Sequence, residues 1–286
     1  MTPIASVVIA AHNEEAVIER CLRTLTAGTA PDEIDVVVVA NGCTDRTAAL
    51  ARAAGARVYE TPVPGKANAL VIGDRECRTF PRAYLDADVE LDADSLRALV
   101  RALDTVPGLL ACSPVPHYDL SAVSALAARF HRVVEQLLAG RRGLTGAGVY
   151  VLGEAGHARV FPLPSVISDD GYVHRGFTPE ERAQVPGARS AVRPARTLGA
   201  VIRRRARVRL GNRELDRLGR RAGESALSPK DLAARVRRGE VPISDAAVFL
   251  GVLAAERLLS RWRDRHGSAS IWAADPTSRT ESRENR

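Results

Sequence analysis

The first third of the chain switches between two hydrophobic patterns. Residues 6–10 (SVVIA) form an unbroken β-branched run, which predicts a strand buried on both faces of a parallel sheet. Residues 14–27 instead place Val17, Ile18, Cys21, Leu22 and Leu25 at helical spacing. The alternation repeats. Residues 34–40 (IDVVVVA) predict a second buried strand, and residues 45–54 a helix ended near Gly55. A short third strand follows at 57–60, a helix at 66–75, a fourth strand at 82–85, a helix at 95–103 and a fifth strand at 109–113. This order predicts an α/β fold with a mainly parallel central sheet and helices on both faces. In such sheets ligands bind beyond the carboxyl ends of the strands, so the strand ends are where chemistry is sought.

The second half is less regular. Residues 122–138 read as a long helix, and 146–152 (GAGVYVL) as a strand entered through glycines. Residues 198–221 read as a basic helix interrupted at Gly211, and 229–237 and 246–263 as further helices. From about residue 267 the chain is rich in Ser, Arg, Glu and Thr, the composition of a disordered tail. No internal repeat is visible.

Composition narrows the class. The 286 residues, 45% hydrophobic, suffice for a sizeable core. No segment reaches the roughly 20 apolar residues of a membrane span. The opening MTPIASVVIAAHNEE has no basic stretch before its apolar run and does not read as a signal peptide. Cys21, Cys43, Cys77 and Cys112 lack CxxC spacing and read as reduced thiols, in keeping with a cytoplasmic setting. The net charge of +7 is an arginine excess, since the lysines are Lys66 and Lys230 alone, and it concentrates in residues 193–221. That patch suits phosphates, or is ordinary surface in an arginine-rich chain. A nucleic-acid-binding module is one class it allows, but 4% aromatic content argues against base stacking, so no nucleic acid is expected.

Four strand-end segments carry candidate chemistry. AAHNEE follows the first strand where a dinucleotide-binding unit would need GxGxxG. Asn13 there can cap a helix, with Glu14 and Glu15 at its positive end. ANGCTDRT follows the second strand: Thr44 or Asp45 can cap, and Asn41-Gly42 can present amides to a base or ribose. PVPGKANAL puts Lys66 at a helix start, where a point charge suits a phosphate. YLDADVELDADS ends the fourth strand. It fails as a calcium loop, because positions six and twelve from Asp86 hold Leu91 and Arg97. Asp94 or Ser95 can cap the next helix, which leaves Asp86 and Asp88. Two carboxylates at i and i+2 suit a hard divalent cation shared with a diphosphate, provided the chain turns there so that both converge.

Taken in order and spacing, SVVIAAHNEE, VVVVANGCTDRT, GKANAL and YLDADV resemble the family 2 glycosyltransferases of GT-A fold, strongly over residues 4–115 and more weakly to about 221. The resemblance implies a GT-A domain over 1–225, with a nucleotide-sugar half (1–115) and an acceptor half (116–225). A C-terminal helical extension over 226–264 and a tail over 265–286 would follow. It implies a metal-dependent, inverting transferase, hexosyltransferase-like, that moves a sugar from a nucleoside-diphosphate sugar, UDP favoured, to a hydroxyl. Mg²⁺ or Mn²⁺ would sit on Asp86 and Asp88. Ala10, Asn13, Glu15, Asn41 and Asp45 would line the nucleoside pocket, with Lys66, Asp86 and Arg207 toward the diphosphate. SDDGYVHRGF supplies the expected acidic pair, Asp169 and Asp170, with Asp170 as general base; the same residues also fit a helix start capped by Ser168. The Gln-x-x-Arg-Trp motif of processive members is not kept: RRARV has Arg204 and Val208 in place of glutamine and tryptophan, which argues against processive synthesis. A nucleotidyltransferase of related architecture is the other enzyme class considered, but its glycine- and arginine-rich loop is missing. The acceptor would be a small molecule or a lipid-linked one. The helix over 246–263, apolar with a basic RWRDR end, allows peripheral contact with the inner face of the cell membrane.

Overall fold

The computed structural model describes residues 2–139, 143–220 and 229–265. The expected tail therefore lies outside the described residues. The chain divides into two compact units, one formed by Met1–Tyr118 with Gly143–Arg193 and the other by Asp119–Arg142 with Pro194–Arg286.

The first unit is built on a mixed sheet. Its strands are β1 (Ala5–Ala11), β2 (Ile34–Asn41), β3 (Arg57–Thr61), β4 (Arg82–Asp86), β5 (Glu90–Leu91), β6 (Ala111–Tyr118), β7 (Val149–Leu152) and β8 (Arg182–Val192). They lie in the order β3-β2-β1-β4-β7-β6-β8-β5. The β3-β2-β1-β4 half is wholly parallel. Strand β7 enters antiparallel between β4 and β6, β8 runs parallel to β6, and β5 closes the edge antiparallel to β8.

Helices α1 (Ile18–Thr26), α2 (Thr47–Ala53), α3 (Lys66–Arg75), α4 (Ala93–Thr105), α6 (Glu154–Val160) and α7 (Asp169–His174) also belong to this unit; α5 (Ala125–Leu138) belongs to the other. The two-residue period of a strand sorts the core. Val7, Ile9, Val36 and Val38 face α1 and α4, with Leu22, Leu25, Leu96 and Leu99. Their neighbours Val8, Ala10, Val37 and Val39 face the opposite side, with Ala69 and Leu70 of α3 and Val173 of α7. Both faces are thus covered, which is why β1 and β2 read as continuous apolar runs rather than alternating ones. Helix α3 lies so close that a Cβ on Gly73 would come 2.5 Å from Val8 Cγ1.

Two strands were not visible in the sequence, β5 and β8. Strand β8 contains Pro186 and Gly187, the composition of a turn. The sheet absorbs them in a bulge: Val185 pairs with Pro114, but the next residue of β6, Val115, pairs with Arg189. Helices α6 and α7 are only seven and six residues long, below the length at which periodicity is informative.

The second unit is helical: α5, α8 (Leu198–Arg217), α9 (Pro229–Arg237) and α10 (Ile243–Arg265). Helix α8 runs through Gly211 without a break, contrary to the expected interruption, because Gly211 is buried between Leu210 and Leu215 on its packed face. The core joins Phe130 and Val133 of α5, Ala200 and Val201 of α8, Leu232 of α9, and Phe249, Val252 and Leu253 of α10. The Phe130 and Phe249 rings stack with centroids 5.6 Å apart.

Candidate active site

Four adjacent parallel strands, β3, β2, β1 and β4, end together, with Asn41 of β2 in register with Thr61 of β3. Ala10 of β1 is in register with Asp86 of β4 and with Val39 of β2, two residues before Asn41. The four segments singled out in the sequence are the loops that leave these ends.

The first two loops are stitched together. Asn13, held at φ 53°, accepts a hydrogen bond from Thr44 N at 2.8 Å. It therefore braces the neighbouring loop and does not cap its own helix, which begins after Val17 without a side-chain cap. Glu15 N donates to Asp45 Oδ2, and Arg46 N donates to Glu15 Oε2. Glu14 N donates to Thr47 Oγ1. Asp45 also accepts from Thr47 N and Thr47 Oγ1. Burial would raise its carboxyl, but these donors outweigh it and hold the pKa below the ordinary value. Asn41 is fully buried, with its amide donating to Ala11 O at 2.7 Å and accepting from Gly65 N at 3.0 Å. The side-chain amide expected to face a base is committed to the backbone at the end of β1 and in the loop before α3. Ala10 packs into the core on the α3 side.

The acidic segment makes a turn. Asp86 N donates to Gly148 O, and Val89 N donates back to Asp86 O at 3.1 Å, closing a turn over Ala87-Asp88. Ala87 and Val89 point into the core, so the half-buried Asp86 and Asp88 emerge at the strand end. Gly148 makes this turn possible: at φ +69° its Cβ would lie 2.3 Å from Val89 Cγ2. Further along, the cap of α4 is Asp92, which accepts from Ser95 N at 2.6 Å, rather than Asp94 or Ser95. Glu90 pairs with Arg20 at 2.9 Å and with Arg193, so it belongs to the frame.

Lys66 joins this segment to the second acidic pair. Its Nζ lies 2.6 Å from Asp86 Oδ1 and 2.9 Å from Asp169 Oδ1. Burial alone would lower its pKa, but Asp169, Asp86 and Asp170 together hold it raised, so Lys66 is a fixed cation. Asp169 is 4% exposed, and its Oδ2 takes a long hydrogen bond of 3.5 Å from the Tyr150 hydroxyl. Burial, against the pull of Lys66 and with Asp170 and Asp86 nearby, raises the Asp169 carboxyl. Tyr150 is raised well above its ordinary value by burial and by Asp169, and stays a neutral donor. Sequence reasoning missed Tyr150; the signal available was a lone tyrosine in the apolar VYVL strand.

Asp170 differs from its neighbour. It is half-buried, and both its hydrogen bonds, from Ser168 Oγ at 2.8 Å and Gly171 N at 2.7 Å, fall on Oδ1. Among the described residues Oδ2 has no hydrogen-bond partner. Ser168 does precede α7, but its hydroxyl holds Asp170 instead of a helix N–H. Arg207 is on α8, half-buried, in the other unit. Among the described residues no group of three or more His, Cys, Asp or Glu stands ready to hold a metal.

The profile of Glycosyl transferase family 2 matches residues 6–150. The chain belongs to that family. Its family 2 region covers β1 to the start of β7, the part that carries Asn13, Asp45, Lys66 and the Asp86 turn. Among curated relatives, the chain is 34% identical over 118 residues to a 4,4'-diaponeurosporenoate glycosyltransferase of Staphylococcus aureus, 38% of this chain and 31% of that protein. It is 36% identical over 99 residues to an uncharacterized glycosyltransferase of Mycobacterium bovis, 35% of this chain and 43% of the relative. The chain thus spans less than half the length of these relatives. A solved structure, a mannosyltransferase of Pyrobaculum calidifontis in complex with GDP-Man and Mn²⁺, superposes with a TM-score of 0.61 at 19% identity, covering 94% of this chain and 80% of that one. A glucosyl-3-phosphoglycerate synthase of Mycobacterium tuberculosis, in complex with Mn²⁺, UDP-Glc and phosphoglyceric acid, gives 0.50 at 24% identity over 66% of this chain and 72% of that one. These structural likenesses establish the GT-A fold that the resemblance implied; the mixed β7-β6-β8-β5 half was not part of the mainly parallel sheet expected.

Proposed function

We propose that this family 2 protein is a metal-dependent, inverting glycosyltransferase. It would move a sugar from a nucleoside-diphosphate donor, UDP favoured, to an acceptor hydroxyl, on a small molecule or a lipid-linked acceptor. The observation that carries the reading is the Lys66 bridge, which joins the end of β4 at Asp86 to the start of α7 at Asp169.

In the reaction the acceptor oxygen attacks the anomeric carbon from the side opposite the diphosphate. The bond from that carbon to the phosphate oxygen breaks, the configuration inverts, and the hydroxyl proton passes to Asp170. The Oδ2 of Asp170 suits that role, because its Oδ1 is fixed by Ser168 and Gly171 while Oδ2 is unengaged among the described residues. Asp169 fills a different role: buried and tied to Lys66, it positions and does not take the proton.

Asp86 and Asp88 offer hard carboxylate oxygens, the donor type that Mg²⁺ and Mn²⁺ prefer. With no group of three such ligands among the described residues, the donor's own diphosphate and water would complete the ion. When bound, such an ion offsets the negative charge on the departing diphosphate. The Pyrobaculum and Mycobacterium proteins, whose structures contain Mn²⁺ with GDP-Man or UDP-Glc, support the same pairing here. Asn13, Glu15 and Asp45 would form the rim of the nucleoside pocket, with Ala10 and Asn41 behind it as the parts that hold its shape.

A thermal-shift panel of UDP-, GDP- and dTDP-sugars, each with and without Mn²⁺, tests this. Stabilisation requiring both sugar nucleotide and Mn²⁺, largest for a UDP-sugar and absent in Asp86→Ala, is expected. No shift with any donor, alongside salt-steep RNA binding, would replace the transferase with a binding module.

A further inference from the structure

Helix α10 has two apolar sides, and the second unit buries only one. Phe249, Val252 and Leu253 face the core shared with α5 and α8. On the other side Ile243, Leu250, Leu258 and Trp262 are 77%, 49%, 68% and 54% exposed. Their spacing keeps them on one stripe of the helix, and the exposed Ala247, Gly251 and Ala254 fill the gaps.

Charge is sorted between the same two sides. The acids Asp245 and Glu256 are turned inward, 5% and 2% exposed. Arg129 and Arg132 reach Asp245 at 3.7 and 3.1 Å, and Arg205 and Arg209 reach Glu256 at 2.7 and 3.6 Å. Arg257 and Arg261 are exposed on the apolar stripe, and neither pairs with a carboxylate among the described residues. The outer face is therefore apolar and cationic. Among the residues of this stripe whose side chains are described, a second copy of the chain would bring the same arginines and no exposed acid to meet them. An anionic bilayer offers acyl chains to the apolar groups and phosphates to the guanidiniums. No described helix is long and apolar enough to cross a membrane, so α10, about 35 Å long, would lie in the interface plane.

We propose that the outer face of α10 docks this protein onto anionic lipid. Leu250, Leu258 and Trp262 would enter the acyl boundary, with Arg257 and Arg261 at the headgroup phosphates. None of the residues assigned to donor or base lies on this helix, so the inference stands apart from the transferase reading.

Vesicle flotation of the full chain tests it, with phosphatidylcholine alone and with phosphatidylcholine containing phosphatidylglycerol. Flotation is expected only with the anionic vesicles. Leu258→Glu and Trp262→Glu should each weaken it about tenfold, and the double variant Arg257→Glu/Arg261→Glu should abolish its dependence on anionic lipid. Thermal unfolding of the Leu258 and Arg257/Arg261 variants should match the parent, since those side chains are exposed. No flotation with either composition, equal flotation with both, or flotation indifferent to the Leu258 and Trp262 changes would each overturn the proposal. So would a dimer in gel filtration that Leu258→Glu converts to monomer without any vesicle binding, which would assign the face to a second copy.

Discussion

The ammonium of Lys66 lies 2.9 Å from the buried carboxylate of Asp169 while also touching Asp86 at 2.6 Å. One cation thus serves the ends of two elements far apart in sequence, β4 and α7. Removing it would leave Asp169 buried beside Asp170 without a counter-charge. Breaking a buried pair by deleting one partner is costly, but Lys66 is 24% exposed and water can reach the gap. Lys66→Met should therefore lower stability by about 1–3 kcal/mol in urea unfolding. Adding Asp169→Asn should recover part of that loss, and the double-mutant cycle should give a coupling of about 1–3 kcal/mol. Additive single effects would mean that the bridge contributes nothing.

The two acids of the pair should separate in kinetics. Asp170→Asn keeps the size and an Oδ1 acceptor but loses the base, so turnover should fall about 10²–10⁴-fold. Donor binding, read by titration with sugar nucleotide and Mn²⁺, should be unchanged. Asp169→Asn should instead show weakened donor binding and lower stability, because its effect runs through Lys66. Full activity in Asp170→Asn would remove it from the role of base.

Much of this site was legible because it depends on local order. Strand ends in a parallel sheet converge by topology, so AAHNEE, ANGCTDRT, GKANAL and YLDADV could be placed together before any coordinates. What each side chain does there was less legible. Asn41 has its side-chain amide buried on two backbone groups, and Asn13, which could have capped its helix, cross-links two loops instead. Those roles depend on which neighbouring loop lies within 3 Å, and strand order alone does not supply that. The same limit hid β8. A Pro-Gly inside a strand is a stop signal when read alone, and only the partner β6, which lets the bulge form, makes it tolerable. Tyr150 went unnoticed because an aromatic in a buried strand is ordinarily packing, and its hydroxyl acquires a role only when α7 brings Asp169 to it.

Gly148 should be intolerant of any side chain. Its backbone is left-handed, and a Cβ would overlap Val89 at the turn that presents Asp88. Gly148→Ala should cost about 2–4 kcal/mol, the strain of positive φ adding to overpacking. Val89→Ala in the same chain would open space without relieving the φ, so rescue should be partial. Metal-dependent donor binding should fall with Gly148→Ala even where the protein remains folded, because Gly148 O holds Asp86 N.

His174 should make the fold sensitive to mild acid. Burial, with Arg182 and Arg175 adding repulsion, pushes its imidazole down to about 4, and its Nδ1 accepts from Leu144 N at 3.3 Å. The unfolded chain would protonate this group near its ordinary 6.5, so between about 6.5 and 4 the unfolded state binds the extra proton. Stability from this group is then full above 6.5 and drains away as pH falls toward 4. The loss should amount to about 1–3 kcal/mol, discounted for the partial exposure of the ring. His174→Asn keeps an acceptor near the Nδ1 position but cannot titrate. Its stability measured by urea unfolding should be flatter than the parent's across that window. A parent and variant whose curves run parallel from pH 7 to pH 4 would show that His174 charges freely in the folded protein.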